Sequence, residues 1–187
     1  MTSIPDRPNT ALLIVDVQHD VVANAHERDR VIANIGTVLQ RARDAGTPVI
    51  WVQHADEELK EGSDGWQYVD ELKRDEGEPL VHKHFGDSFE ETDLEERLAE
   101  RKVGHLVVTG AQTDACIRAT LHGALVRGYD ATLVEDAHTT DDPSQWGAPL
   151  DASQVIAHTN MYWKWEASAG RSGGTVSTAE VAFSPSA

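Results

Sequence analysis

Apolar runs too short for helices alternate along this chain with longer stretches in which apolar residues recur at three- and four-residue intervals. Ala11-Leu-Leu-Ile-Val15 and His105-Leu-Val-Val-Thr109 are nearly continuous in apolar character, which suits strands buried on both faces of a parallel sheet. Pro48–Gln53, Pro79–Lys83, Ala131–Glu135 and Gly174–Ser177 supply the remaining strands. Arg30–Ala45 carries Val31, Ile32, Ile35, Val38, Leu39 and Ala42 on one helical face, with Gly46 as its stop. Ala115–Arg127 repeats the pattern through Ile117, Ala119, Leu121, Ala124 and Leu125; Thr113 or Asp114 is its expected cap and Gly128 its end. Shorter helices are predicted over Asp93–Arg101 and Ser153–His158. From His54 to Glu78 runs a polar excursion that includes Trp66 and Tyr68, and connections of that length in compact domains are generally functional. The tail beyond Val181 is expected to fray or to bind a partner.

This alternation predicts the α/β class, a three-layer α/β/α arrangement with a mostly parallel, six-stranded, doubly wound sheet, and residues 1–187 forming one domain. Ligands of such sheets gather outside the carboxyl ends of the strands, where strand order reverses. Asp16 closes the first apolar run, Lys83 closes the third, and Cys116 opens the helix after the fourth. An aspartate at the end of an apolar strand is costly to bury alone, and a nearby ammonium is its simplest partner. In the first turn of a helix, free backbone N–H groups favour a thiolate at Cys116 and are suited to hold an oxyanion beside it. His54 and His138 follow strands at the same edge and are candidate pocket residues, and Trp66 and Tyr68 are a candidate aromatic wall. His82 and His84 flank Lys83 and belong to the opposite face of a strand, which makes them structural. Trp146 and Met161-Tyr-Trp163-Lys-Trp165 concentrate aromatics in the last quarter, the pattern of an oligomer interface or a lid.

Composition narrows the function. With 16 Lys plus Arg against 32 Asp plus Glu, the formal charge of −16 repels phosphate, so neither nucleic acid nor an anionic membrane is an expected partner. A neutral or cationic small molecule remains open, and the plain reading of the excess is a solvated surface of the kind seen in salt-adapted proteins. The N-terminal residues lack a long apolar stretch after a basic start, and no run approaches a membrane span, so a cytoplasmic protein is expected. One cysteine, Cys116, can form neither an internal disulfide nor a thiolate metal cluster.

Three blocks, Ala11-Leu-Leu-Ile-Val-Asp16-Val-Gln18, Lys83-His-Phe-Gly-Asp-Ser-Phe89 with Thr92 and Leu94, and Val108-Thr-Gly-Ala-Gln-Thr113-Asp-Ala-Cys116, resemble the isochorismatase-like cysteine hydrolases over roughly Thr10 to Thr140. The resemblance implies an Asp16, Lys83, Cys116 triad on an α/β/α sheet. It also implies a cis peptide at Ala111–Gln112 and a homo-oligomer. The implied chemistry is acyl transfer through a thioester, with backbone N–H groups of Gln112 and Cys116 holding the oxyanion. Gln18, Phe89 and the side chain of Gln112 join His54, Trp66, Tyr68 and His138 as substrate-binding candidates. Metal-dependent relatives place Asp-x-His and a further histidine after the second strand, whereas here His54-Ala-Asp56 is followed by no histidine until His82, so no metal and no cofactor are expected. A small-molecule amide is the expected substrate, such as the lactam of a streptothricin-like compound. A biuret, carbamoyl or ureido compound on the same triad is an alternative, and a noncatalytic oligomeric binding protein on the same fold is a third.

Overall fold

A computed structural model describes residues 2–183. The last residues of the tail, 184–187, fall outside the described residues, and the expectation of fraying or partner binding extends onto them. Strand β1 (Asn9–Val15) sends Ala11, Leu13 and Val15 to one face of the sheet and Leu12 and Ile14 to the other, all fully buried. That is why its sequence reads as continuously apolar.

After β1 come a one-turn helix α1 (His19–Val22) and the long helix α2 (Arg28–Asp44). Strands β2 (Val49–His54) and β3 (Leu80–Lys83), helix α3 (Leu94–Glu100) and strand β4 (Val103–Ala111) follow. A π-type turn over Thr113–Ile117 leads into α4 (Arg118–Arg127), and then β5 (Asp130–Thr139) and α5 (Ala152–Trp163). A two-residue hairpin, β6 (Ala167–Ser168) with β7 (Arg171–Ser172), precedes the last strand β8 (Thr175–Val176). The six-stranded sheet runs β3-β2-β1-β4-β5-β8, and every neighbouring pair is parallel. Chain order reverses direction between β1 and β4, which fixes the ligand-binding crevice at their carboxyl ends. Helix α2 packs on one face through Val31, Ile35 and Val38; α3, α4 and α5 cover the other through Leu94, Leu98, Leu121 and Trp163.

Two expectations are corrected. Neither Thr113 nor Asp114 caps the helix after β4, because the Thr113 hydroxyl bonds His138 and the Asp114 carboxylate accepts from Thr140. Those bonds tie the turn to β5 instead. Helix α5 runs to Trp163 rather than ending at His158: an Asp151–Gln154 capping box starts it, and Trp163, fully buried with its indole N–H on Ala131 O, anchors its end. Trp163 is therefore core, whereas Trp146, Met161 and Trp165 are exposed.

Strand β4 meets β1 through Gly110, paired with Val15. Gly110 has φ +123°, and a Cβ there would lie 2.0 Å from Val15 O. Gly110→Ala is expected to cost about 3 kcal/mol or more in urea unfolding. Gly36→Ala, in mid-α2 with only Leu72 Cδ2 at 3.7 Å, is expected to stabilise by about 0.5 to 1 kcal/mol. Equal effects at the two positions would contradict the close β1–β4 approach.

Candidate active site

The chain leaves β1 through Asp16, whose backbone turns into the left-handed region at φ 52° while its N–H still bonds Val52 O at 2.9 Å. Aspartate tolerates that conformation better than most residues, and the turn swings its carboxylate out of the strand's alternation. Lys83, the last residue of β3, places its ammonium 2.7 Å from Asp16 Oδ2, with both side chains essentially inaccessible to solvent. The Lys83 ammonium also donates to Phe85 O at 3.0 Å, and Cys116 Sγ at 3.2 Å and His54 Nδ1 at 3.3 Å both lie within its reach. Cys116 sits in the π-type turn, which follows a cis Ala111–Gln112 peptide, as the resemblance implies. Its thiol is also within hydrogen-bonding reach of Asp16. Carboxylate, ammonium and thiol thus converge from the ends of β1, β3 and β4 across the switch point.

The electrostatics differ from the expectation of a thiol lowered by a helix terminus. Burial, and then the Asp16 charge, push the Cys116 thiol from 9.0 up to about 12, against the opposing pull of Lys83. Burial also raises the Asp16 carboxyl, despite Lys83. At Lys83, burial acts downward, but the Asp16 charge and the hydrogen bond to it outweigh that and keep the ammonium protonated. The arrangement is therefore a buried thiol that keeps its proton beside a carboxyl and an ammonium.

A cavity of about 360 Å³ opens over the sulfur, lined by Asp16, Asp20, Val21, His54, Asp56, Glu58, Leu59, Gln112 and Cys116. Of the candidates read from the sequence, Asp16, Cys116, His54 and Gln112 line it, whereas Lys83 is buried behind Asp16 and Cys116. The Gln112 side chain is committed elsewhere: it donates to Val21 O and accepts from Asp141 N–H, pinning α1 to the segment after β5. The remaining candidates lie outside the cavity. Gln18 is fully buried, its amide bonded to His54 O, Trp66 O and His54 N–H, so it joins the loop after β2 to the end of β1. Trp66 stacks on His82, and the Tyr68 hydroxyl donates to Val52 O while its ring meets Trp51 edge-on. Phe89 packs in the core against Tyr129. His138 is buried between Thr113 and Asn160, and desolvation pulls it down to about 4, leaving it neutral. In this structure Gln18, Trp66, Tyr68 and His138 bond or stack against neighbouring segments, and Phe89 packs in the core.

Asp20, Val21, Glu58 and Leu59 also line the cavity without being singled out by the sequence pattern, which marks Asp56 only through the metal comparison. Their signal was positional, since Asp20 and Asp56 follow β1 and β2 within a few residues. Among the described residues, no group of three or more His, Cys, Asp or Glu side chains is arranged to hold a metal ion. A larger cleft of about 780 Å³ lies at the opposite, amino ends of the strands, around Thr10, His105 and Thr132, remote from the thiol.

The doubly wound parallel sheet, with a carboxyl, an ammonium and a thiol at its switch point, has the architecture of the isochorismatase-like α/β fold. The isochorismatase domain matches residues 10–159, and the chain belongs to the isochorismatase family. It is 34% identical over 140 residues to YddQ, an uncharacterized isochorismatase family protein of Bacillus subtilis (strain 168), across 70% of this chain and 78% of that protein. It is 35% identical over 147 residues to the streptothricin hydrolase of Streptomyces noursei, across 75% of this chain and 58% of that protein. An isochorismatase from Pseudomonas putida KT2440 superposes with a TM-score of 0.82 at 27% identity, covering 92% of this chain and 90% of that one. The protein is thus an isochorismatase-family hydrolase. No helix among the described residues is long and apolar enough to cross a membrane.

The raised thiol carries a consequence for stability. In the unfolded chain Cys116 ionises near 9, while the folded protein keeps the proton to about 12. Between those values the unfolded state binds fewer protons, so stability falls as pH rises. Urea unfolding at a series of pH values is expected to show a shallower alkaline decline for Cys116→Ala than for wild type, by up to about 1.4 kcal/mol per pH unit. Tyr129, pushed up by burial and by Glu95, is common to both proteins and cancels. Identical slopes would contradict a buried, protonated thiol.

Proposed function

We propose that the protein hydrolyses an amide or related C–N bond of a small molecule through a Cys116 thioester, releasing ammonia or an amine. The observation that carries this reading is the buried Lys83 ammonium, 2.7 Å from Asp16 Oδ2 and 3.2 Å from Cys116 Sγ, next to the open cavity that Asp16 and Cys116 line. Asp16 takes the thiol proton as the sulfur attacks the carbonyl carbon, and Lys83 offsets the negative charge that the two share. Backbone N–H groups of Gln112 and Cys116 hold the tetrahedral oxyanion. Protonated Asp16 then gives its proton to the departing nitrogen, leaving the thioester. Water, deprotonated by Asp16, adds to the acyl carbon; the acid departs and the thiol is restored.

The rim supports a cationic or neutral substrate. Asp20, Asp56 and Glu58 are exposed at the cavity, and among the described residues no Lys or Arg lines it. A cationic cyclic amide of the streptothricin type fits that charge, and the relationship to a streptothricin hydrolase adds support. Ureido and carbamoyl compounds are the second class on the same chemistry. The reading also carries a homo-oligomer, for which exposed Trp146, Leu150, Met161 and Trp165 offer apolar contact area.

The test is a panel of cationic, neutral and anionic amides, lactams and ureido compounds, scored by release of ammonia or amine. Turnover is expected among the cationic and neutral members, with Asp16→Asn, Lys83→Met and Cys116→Ala each lowering kcat/KM by about 10³-fold or more. Asp20→Asn with Glu58→Gln is expected to raise KM for a cationic substrate and leave a neutral one unchanged. Turnover that survives Cys116→Ala would overturn the thioester route.

A further inference from the structure

Lys83 Nζ has more acceptors than hydrogens. Asp16 Oδ2 lies at 2.7 Å, Phe85 O at 3.0 Å, Cys116 Sγ at 3.2 Å and His54 Nδ1 at 3.3 Å. An ammonium donates three hydrogen bonds, so one of the four goes without, and the two longest contacts, sulfur and imidazole, compete for the third N–H.

His54 can compete only if Nδ1 carries no proton, and Asp56 enforces that state. Asp56 Oδ2 lies 3.0 Å from His54 Nε2, and a carboxylate only accepts, so the imidazole proton sits on Nε2. Asp56 is itself fixed: its Oδ1 accepts the backbone N–H groups of Glu58 and Leu59 at 2.8 and 2.7 Å. These bonds, with His54, hold its carboxyl below the usual range. The His54 main chain is fixed independently, its N–H on Gln18 Oε1. The charged and titratable groups around the ring are Asp56 from the loop after β2, Lys83 from β3, Asp16 after β1 and Cys116 after β4, with Asp20 of α1 and Glu58 on the cavity wall.

A thiol is a poorer acceptor than an imidazole nitrogen, and a thiolate is a better one. We propose that His54, oriented by Asp56, is a positioning residue that holds the third N–H of Lys83 while Cys116 is a thiol and yields it to the sulfur as the thiol proton leaves. The step balances. The S–H proton moves to the Asp16 carboxylate, the N–H···Nδ1 bond breaks, and an N–H···S⁻ bond forms with Lys83 still an ammonium. His54 thereby keeps the nucleophile protonated at rest, and the transfer of one hydrogen bond lowers the cost of the thiolate at the moment of attack. The consequence for the thiol rests on the hydrolase reading above, whereas the imidazole tautomer is observable in a protein that turns nothing over.

Asp56→Asn isolates the device. Its amide oxygen stays on the Glu58 and Leu59 N–H groups, so the NH₂ faces His54 Nε2, forcing the ring proton onto Nδ1 against the Lys83 ammonium. The first readout is the ¹H–¹⁵N correlation of the His54 imidazole, assigned by its loss in His54→Ala. Wild type is expected to carry the proton on Nε2 and Asp56→Asn on Nδ1; a wild-type ring protonated on Nδ1 overturns the proposal. The second readout is the pH midpoint of Cys116 alkylation by iodoacetamide, followed by intact mass. His54→Ala and Asp56→Asn each free the N–H for sulfur and are expected to lower the midpoint by about one pH unit, a tenfold gain in thiolate below the midpoint. His54→Asn, whose side-chain oxygen replaces Nδ1 as acceptor, is expected to keep the wild-type midpoint. Unchanged or raised midpoints in both His54→Ala and Asp56→Asn overturn the proposal, as does a midpoint in His54→Asn as low as that of His54→Ala. Because midpoints rather than rates are compared, a wider cavity in His54→Ala does not mimic the result. Failure of the amide panel with the expected tautomers and shifts would sink the hydrolase reading while leaving the positioning role intact.

Discussion

The ion pair between Asp16 and Lys83 is the constraint on which the site depends. Two opposite charges with almost no solvent access are stable only with close geometry and further hydrogen bonds, and removing one partner leaves an uncompensated buried charge. The fold supplies the geometry by joining β1 to β2 and β2 to β3 in parallel register, so the ends of β1 and β3 open onto one crevice. Gly110 lets β4 close against Val15, bringing the π-type turn and Cys116 to the same crevice. Carboxylate, ammonium and thiol meet because three strands end together.

A second layer of polar groups keeps that crevice in place. Gln18 spends its side chain bridging β1 to the loop after β2, and Gln112 bridges α1 to the segment after β5. His138 and Asp114 hold the π-type turn to β5. These groups face inward to other loops, which frees the cavity for His54 and for the carboxylates of Asp20, Asp56 and Glu58. An interior of fixed, neutral or paired groups beneath a negatively charged rim is the electrostatic character of the site.

The sheet and its switch point were legible in the sequence because strands buried on both faces leave continuous apolar runs, as at Ala11 to Val15 and Leu106 to Val108. Asp16, Lys83 and Cys116 were legible for the same reason, each standing where such a run stops or a helix starts. Gln18, Trp66, Tyr68, Phe89 and His138 were not separable from cavity-lining residues by position. Burial against a loop and exposure to a cavity call for the same residue types, and the direction of a side chain in an irregular segment has no period to read. Asp56 illustrates the converse. Its importance lies in accepting two backbone N–H groups while fixing His54, a local geometry that no spacing announces. The thiol was expected to be lowered by its helix terminus, but burial beside Asp16 outweighs that effect.

The central claim is that Asp16 and Lys83 act on Cys116 in opposite directions within one coupled unit. The pH midpoint for alkylation of Cys116, measured by intact mass in wild type, Asp16→Asn and Lys83→Met, tests it most directly. Removing the carboxylate charge leaves the ammonium to favour the thiolate, so the midpoint should fall in Asp16→Asn; removing the ammonium should raise it in Lys83→Met. Midpoints that coincide in the three proteins, or that move in the reverse order, would contradict the account.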